Sequence, residues 1–374
     1  MKAAVCYEFG APLQVEDVEL APPQQGEVRV RVAATAICHS DIHRLHGEWG
    51  GRPPLVAGHE TAGVVEEVGE GVTLAQPDDH VVVTMLRSCG HCFYCVSGSP
   101  NLCEGTYALD TGTSLRNQRG ERIRRGFGTA TFAEYAVVDQ SQVARIPDAM
   151  PLDRAALLAC GVITGVGAAV NTAQVKPGST VVVIGTGGVG LNAVQGARLC
   201  GADQIVAVDL LDSKLAVAKT FGATHTVNAA QDDPLQAVRD LTHGRRADYV
   251  LVTVGSAPAV GQGLSLLRPA GTLVIVGMPA KTATATLPIW DFVASGQGIL
   301  GSNMGSTRLT RDIPWLVDLY QQGRLLLDEL ITAHYPLERI NEAIAAMEGG
   351  AALRNLVLFA TDSAAETVQD ASPS

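Results

Sequence analysis

The hydrophobic rhythm of the chain changes about halfway along. In the first 150 residues, apolar and polar positions alternate in short runs. KAAVCYEF begins at residue 2, PLQVEDVEL at 12 and EVRVRVAATAI at 27, with Pro22, Pro23 and Gly26 between them. Alternation of this kind predicts strands with one buried face. Residues 63–68 and 80–83 predict further strands, with Gly69, Gly71, Pro77 and Asp78 in turns, and GTATFAEYAVV from 128 resumes the pattern. From 181 the apolar runs become continuous: VVVIG at 181–185, IVAVD at 205–209, HTVNA at 225–229, YVLVTVG at 249–255 and TLVIVGM at 272–278. Helical stretches at 188–200, 212–221, 233–242 and 258–267 separate them. Strands that need no polar face and alternate with helices predict a parallel, doubly wound sheet covered by helices on both sides. The fold class is therefore α/β, with a β-rich region ahead of a nucleotide-domain pattern.

The remaining segments complete the outline. Residues 104–128 are polar and rich in glycine and arginine, and they predict a long excursion or lid. Residues 153–160 predict a helix after Pro151, 312–323 and 337–350 predict two more, and 281–300 is apolar without clear boundaries. LRNLVLF at 353–359 predicts a closing strand, and the tail from 361 has little to bury and is expected to be mobile. A last strand in a chain that begins with strands suggests that the C-terminus returns to the first region. The doubly wound region would then be an insertion.

The glycines after the first continuous run carry the first chemistry. Gly185, Gly187 and Gly190 stand in G-x-G-x-x-G, followed by a helix and by Asp209 at the end of the next strand. In that setting the glycines give a tight turn, a close approach for a pyrophosphate and tight helix packing. The helix N-terminus offers unpaired N–H groups to phosphate. A carboxylate at Asp209 can accept the two hydroxyls of an adenosine ribose and would repel a 2′-phosphate, which favours NAD over NADP. The plainer reading is a glycine-rich turn in an ordinary α/β domain.

Charge and cysteine usage narrow the remaining classes. Formal net charge is −11, which argues against nucleic acid or an anionic membrane as the main partner. Arg116, Arg119, Arg122, Arg124 and Arg125 nevertheless crowd one segment; such a cluster is more often a solvated face than an anion site. No run reaches the roughly 18 uninterrupted apolar residues of a spanning helix, and the N-terminus lacks a signal-peptide core. These features predict a soluble, cytoplasmic protein. Four of the eight cysteines, Cys89, Cys92, Cys95 and Cys103, form a tight set. Four thiolates can close a tetrahedral shell around zinc with no open position; a disulfide pair and an iron–sulfur centre are the alternatives. Cys38 and His59 are a normal pair of zinc donors, with Glu60 next to His59 and Asp41 able to orient a ligating histidine. Cys38 alone could equally be a buried small hydrophobe, and His39, His43, His46 and His59 ordinary histidines.

Taken together, Cys38-His-Ser-Asp-Ile-His43, Gly58-His59-Glu60, the four close cysteines, Cys160-Gly and Gly185-Thr-Gly-Gly-Val-Gly190 resemble the zinc-dependent medium-chain alcohol dehydrogenase family. The resemblance runs from residue 1 to about 359. It implies a GroES-like catalytic domain at 1–161 and 301–374, with a Rossmann domain at 162–300 between its two parts. It implies two Zn2+ per chain: a catalytic zinc on Cys38, His59 and Cys160, and a structural zinc on Cys89, Cys92, Cys95 and Cys103. Glu60 would match a glutamate beside the catalytic zinc. Ser40 would match the hydroxyl that takes the alcohol proton, and His43 the outer base of a relay running through the nicotinamide ribose. Asp41 would bond His59. On the NAD side, Thr164 would lie beside the nicotinamide, Asp209 and Lys214 at the adenosine ribose, and Arg354 near the pyrophosphate. Gly185, Gly187, Gly188, Val189, Gly190, Val254, Val276 and Met278 would line the cofactor, as would His39, which stands where several animal enzymes have arginine. Trp49, Met85, Ala108, Met278 and Leu300 would be pocket walls.

The implied reaction is reversible hydride transfer between NAD and a primary aliphatic, allylic or aromatic alcohol, giving the aldehyde, in a homodimer or homotetramer. A secondary-alcohol or polyol dehydrogenase, or a carbonyl reductase, of the same superfamily is the alternative enzyme reading. A non-catalytic NAD-binding structural protein is the alternative outside catalysis. Glutathione-linked formaldehyde oxidation occurs in the family, but the residues expected to bind an anionic tail are not evident here.

Overall fold

A computed structural model describes residues 1–112, 115–350 and 352–360. The continuous apolar runs form one parallel sheet of six strands. Its order is His225–Asn228, Gln204–Asp209, Thr180–Ile184, Ala247–Val252, Leu267–Ile275 and Gly298–Gly301. The chain therefore starts in the middle, winds outward to one edge, then returns to wind toward the other. That reversal leaves a crevice at the carboxyl ends of the two central strands, where ligands meet such sheets. The interior of the sheet is valine-rich because both faces are covered: Val182, Val206, Val250 and Val252 pack on one side, and Val181, Val183, Leu251 and Val274 on the other.

The predicted helices appear as Gly188–Leu199, Asp212–Thr220, Pro234–Leu241 and Ala257–Leu266. The first packs unusually close. A Cβ on Gly190 would sit 1.8 Å from the Gly185 carbonyl oxygen, so any side chain there would push the helix off the sheet. Leu191 beside it is fully buried, and cutting it back to alanine would cost about 2–5 kcal/mol.

The alternating runs build two mostly antiparallel layers, each with one parallel pair: Ile331–Pro336 with Arg354–Leu358, and Leu55–Val56 with Arg124–Arg125. One is a sheet of Val143–Arg145, His80–Val83, Glu60–Val68, Glu27–Ala36, Arg354–Leu358 and Ile331–Pro336, with Tyr135–Asp139 also paired to Glu27–Ala36. The last strand of the chain thus lies beside one of the first, with Leu356 opposite Ala36 and Leu358 opposite Ala34. The second layer is a smaller sheet of Leu115–Asn117, Gln14–Leu20, Lys2–Cys6, Leu55–Val56 and Arg124–Arg125.

That smaller sheet corrects the expectation of a lid over 104–128. Leu109, Leu115 and Ile123 are buried, and two short strands of the segment are sheet members. Four of its five arginines are spent locally. Arg116 donates to the Gly120 carbonyl at 2.7 Å, Arg122 to the Gly112 carbonyl at 2.8 Å, and Arg119 pairs with Glu121 at 3.3 Å. Arg125 is tucked in, donating to the carbonyls of Val137 and Leu109, and burial pulls it down to about 10.

A long composite helix from Leu152 to Ala173 links the two regions. It is long and apolar enough to cross a membrane, but 83% of its most apolar stretch is buried in the protein, as in a core helix. Two wider π-helical turns interrupt it, at Leu158–Val162 and Ala168–Ala173. Such turns accompany functional sites often enough to mark the segment for attention. The tail expected to be mobile, 361–374, lies outside the described residues.

Candidate functional site

The donors implied for a catalytic metal come from three separate elements. Cys38 caps the helix His39–Leu45, His59 precedes the strand Glu60–Val68, and Cys160 lies in the π-helical turn Leu158–Val162. The fold brings them together: one donor atom each from Cys38, His59, Glu60 and Cys160 lies within 4.8 Å of all the others, and all four residues are buried. His59 is held from behind. Its Nδ1 is 3.0 Å from Asp41 Oδ1, and Asp41 also accepts the N–H groups of Gly58 at 2.9 Å and Cys38 at 3.2 Å. With Nδ1 bonded to a carboxylate, Nε2 carries the lone pair whenever the ring is neutral, as a metal ligand must be, and that buried nitrogen has no hydrogen-bond partner. A donor set of two sulfurs and an orphaned imidazole nitrogen suits zinc.

The electrostatics of the cluster fit a cation as well. Cys38 is held well below the usual thiol range, first by a hydrogen bond from Cys160 and then by His59 and Arg354. Cys160 is pushed well up, by Cys38 and by burial. A divalent cation supplies the charge that lets both ionise. Burial alone would keep His59 neutral, but the Asp41 carboxylate and Cys38 outweigh it and raise its pKa. Glu60 is fully buried, and desolvation pushes its carboxyl up to about 8 despite the Arg354 guanidinium. Arg354 Nη2 lies 3.7 Å from Glu60 Oε1, which also accepts the Gly161 N–H at 3.2 Å.

These residues close one end of a cleft of about 890 Å³. Cys38, Ser40, His43 and Cys160 line that end. Every residue implied for the cofactor also lines the cleft: His39, Thr164, Gly185, Gly187, Gly188, Val189, Gly190, Asp209, Lys214, Val254, Val276, Met278 and Arg354. At its middle, a Cβ placed on Gly187 would meet nothing within 4 Å, so the N-terminus of the helix Gly188–Leu199 opens onto empty space, a cradle suited to phosphate. At the far end, Asp209 Oδ2 accepts both the N–H of Thr186 at 2.7 Å and its hydroxyl at 2.9 Å. Its Oδ1 accepts the N–H of Leu210 at 2.8 Å and, at 3.3 Å, that of Leu211. The carboxylate is fixed at the strand end before any ligand arrives.

Some wall residues differ from expectation. Trp49, Met85 and Met278 line the cleft, but Ala108 and Leu300 do not. Ala108 begins the short helix Ala108–Thr111, and Leu300 lies on the outermost strand of the parallel sheet, away from the crevice. Two walls went unread in the sequence. Phe127 packs 4.6 Å from the His59 ring and 6.4 Å from that of Trp49. Met304 places its sulfur 3.8 Å from Cys160 Sγ and 3.8 Å from the Thr164 hydroxyl. Phe127 sits between two glycines, the one local hint of an aromatic turned into a site; Met304 carries no comparable signal.

The second donor set is compact in sequence and in space. Cys89, Cys92, Cys95 and Cys103 bring their sulfurs within 4.8 Å of one another, and all four are free thiols. The Cys89–Cys95 and Cys92–Cys103 sulfur separations are 4.0 and 3.9 Å. A disulfide would require about 2.0 Å, whereas a zinc tetrahedron with bonds of about 2.3 Å has sulfur–sulfur edges of about 3.8 Å. Backbone N–H groups already point at the sulfurs: Cys89 to Cys103 at 3.2 Å, Cys92 to Cys89 at 3.3 Å and Gly105 to Cys103 at 3.3 Å. Burial raises Cys103, but the Tyr107 hydroxyl and the N–H groups of Cys89 and Gly105 outweigh it and bring it down to about 6.

Comparison with known proteins bears on both halves of the chain. Residues 24–148 match the model of the alcohol dehydrogenase GroES-like domain, and 188–322 that of the zinc-binding dehydrogenase domain. The chain is 39% identical over 370 residues to the NDMA-dependent alcohol dehydrogenase of Amycolatopsis methanolica, covering 96% of this chain and 99% of that one. It is 40% identical over 368 residues to a class-3 alcohol dehydrogenase of Zea mays, covering 94% and 95%. The crystal structure of a benzyl alcohol dehydrogenase from Acinetobacter calcoaceticus superposes with a TM-score of 0.90 at 33% identity, covering 96% of this chain and 99% of that one.

Proposed function

The chain belongs to the zinc-dependent medium-chain alcohol dehydrogenase family, and from that premise we propose that it interconverts primary alcohols and aldehydes with zinc and NAD. One observation carries the reading. The orphaned Nε2 of His59 and the sulfurs of Cys38 and Cys160 meet at the end of the same cleft whose other end holds Asp209 and the glycine turn. Metal-type donors and a dinucleotide cradle on one cleft are what an alcohol dehydrogenase requires.

In this reading Cys38, His59 and Cys160 hold the catalytic zinc, and Cys89, Cys92, Cys95 and Cys103 hold a structural one. When bound, the zinc supplies Lewis acidity that makes an alcohol hydroxyl a stronger acid, and the nicotinamide supplies the hydride acceptor. The protein's own part is binding, orientation and proton traffic. Ser40 Oγ takes the hydroxyl proton, and His43 is the outer base that passes it to solvent. Asp41 keeps His59 in the ligating tautomer. Glu60 stands beside the donor set, braced by Arg354 and by the Gly161 N–H. Thr164, Val254, Val276 and Met278 enclose the nicotinamide side, with His39, Lys214 and Arg354 along the phosphates and ribose.

The walls favour an apolar substrate. Trp49, Met85, Phe127 and Met304 offer rings and thioethers and little to bond the many hydroxyls of a polyol. The fixed carboxylate of Asp209 supports NAD over NADP, since a 2′-phosphate would meet a negative charge held in place at the strand end. A homo-oligomer is part of the same reading. The outer strand Gly298–Gly301 leaves a sheet edge, and beside it Ile289, Trp290 and Val293 are 71%, 84% and 73% exposed. An edge strand and an apolar patch of this kind suit a second copy of the chain.

The test is a coupled screen with NAD and with NADP against linear, allylic, benzylic and secondary alcohols and polyols, repeated on Asp209→Gly. Primary alcohols with NAD should give the highest kcat/KM, and the variant should lose much of its coenzyme preference. Equal or better efficiency with NADP in the parental protein would refute the coenzyme assignment; a best substrate that is a secondary alcohol or polyol would refute the substrate class.

A further inference from the structure

We propose that Glu48 is a positioning residue for proton transfer, acting by holding the His43 ring in one tautomer and one orientation. The inference rests on the reading of His43 as the outer base and adds a residue that reading does not include. The observation is a contact of 2.6 Å between Glu48 Oε2 and His43 Nδ1.

The contact is built by the way the helix stops. The helix His39–Leu45 ends with the His46 N–H on the Ile42 carbonyl at 2.9 Å and the Gly47 N–H on the Arg44 carbonyl at 3.1 Å. The Glu48 N–H then turns back to the His43 carbonyl at 3.0 Å. Gly47 makes that reversal possible: its φ is +78°, and a Cβ there would lie 2.7 Å from the Phe9 ring. A left-handed glycine just past a helix end is the usual way to fold the chain back over the last turn. Here it returns a carboxylate to the histidine of that turn, tied by its backbone as well as by its side chain.

The ring is held on its face too. Trp49 stacks on the imidazole with centroids 5.1 Å apart and planes 24° from parallel, and Phe127 meets Trp49 edge-on. Both His43 and Trp49 line the cleft.

The chemistry follows from the inventory of donors. An ionised carboxylate only accepts, so the hydrogen on the neutral ring must be on Nδ1 and the lone pair on Nε2. A proton leaving the Ser40 side of the site forms its new bond to Nε2, and the imidazolium so formed faces the Glu48 carboxylate. The proton then leaves Nε2 for water or buffer. The Nδ1 hydrogen stays in place, and Glu48 is never protonated, the division of labour a carboxylate has behind any histidine base. Glu48 and His43 are 46% and 38% exposed at their side chains, so the pair contributes little to folding, and its removal tests the rate rather than the fold.

The test uses the zinc-replete enzyme with NAD and its best alcohol, in the parental protein and in Glu48→Ala, Glu48→Asp and His43→Gln. Glu48→Ala should lower kcat about tenfold, a modest share of the 10²–10⁴ that positioned proton transfer supplies. Its solvent deuterium isotope effect on kcat should rise, added imidazole should restore most of the rate, and NADH binding measured by fluorescence should stay within about twofold of parental. Glu48→Asp should recover part of the loss. A defect in Glu48→Ala that neither imidazole nor deuterium oxide alters would overturn the proposal in favour of a purely structural role. Parental turnover in Glu48→Ala beside an impaired His43→Gln would overturn it while leaving the relay intact. Parental turnover in both variants would remove the relay itself, and with it any task for Glu48.

Discussion

The two donor clusters look alike on paper and differ in almost every physical respect. Each has four candidate donors within 4.8 Å of one another. The four-cysteine set lies within one short stretch of chain, is half-exposed, and has backbone N–H groups aimed at its sulfurs. The set of Cys38, His59, Glu60 and Cys160 draws on three distant segments, is buried, mixes donor types and leaves an imidazole nitrogen without a partner. As a zinc site the first would be complete in itself and would pin a loop. The second is incomplete and opens onto a cleft. The lesson is that chemistry requires an unfinished coordination shell in a controlled environment, and only a fold can protect one from solvent.

The largest effect is expected at Cys38. Cys38→Ala should cost about 10³ or more in turnover, the several kcal/mol a Lewis-acid metal contributes. Zinc content by elemental analysis should fall from about two to about one per chain while circular dichroism stays parental. Cys92→Ala should show the opposite pattern: one zinc lost, a clear fall in thermal midpoint, and turnover per remaining folded molecule within about twofold, because a closed site constrains chain rather than reacting. Should Cys92→Ala abolish turnover with its thermal midpoint intact, the division of roles would not stand.

A smaller effect is expected one step back from the buried donors. Asp41→Asn keeps the shape but removes the charge behind His59, and changes of this kind cost about 10–100-fold in metal affinity or activity. Zinc competition with a chromogenic chelator reads it directly; unchanged affinity would mean that Asp41 serves only the Gly58 and Cys38 N–H groups.

The smallest effect sharpens the exposed cluster. Tyr107 donates to Cys103, 3.4 Å away, and helps bring that thiol down from 9.0 to about 6. Because the folded pKa is depressed, the metal-free thiolate is favoured to lower pH than in the unfolded chain, which favours retention of a metal. Tyr107→Phe should raise the thiol and move acid-induced zinc release to higher pH by about a few tenths of a unit, since ligands must be deprotonated to bind. Release measured between pH 7 and 5 that is superimposable on the parental curve would show that the backbone N–H groups alone set the thiolate.

Much of this is legible in the sequence alone. Unbroken valine runs between amphipathic stretches determined the parallel sheet, since only strands covered on both faces can dispense with polar positions. The glycine turn, Asp209 and the four close cysteines are local patterns, and each lies where its spacing indicated. What the sequence by itself could not decide is everything that depends on convergence. Cys160 joins Cys38 and His59 only because a π-helical turn and a strand end meet at the sheet crevice. Phe127 and Met304 became walls, and Leu300 did not, because a side chain's neighbours follow from packing between elements, not from its place in the chain. The arginine-rich segment suggests an excursion or a lid from its polarity, and only the fold shows that Leu115 and Ile123 are buried. Glu48 shows the boundary between the two. The glycine that stops its helix is written in the sequence, but the 2.6 Å contact it creates exists only once the chain has turned back on itself.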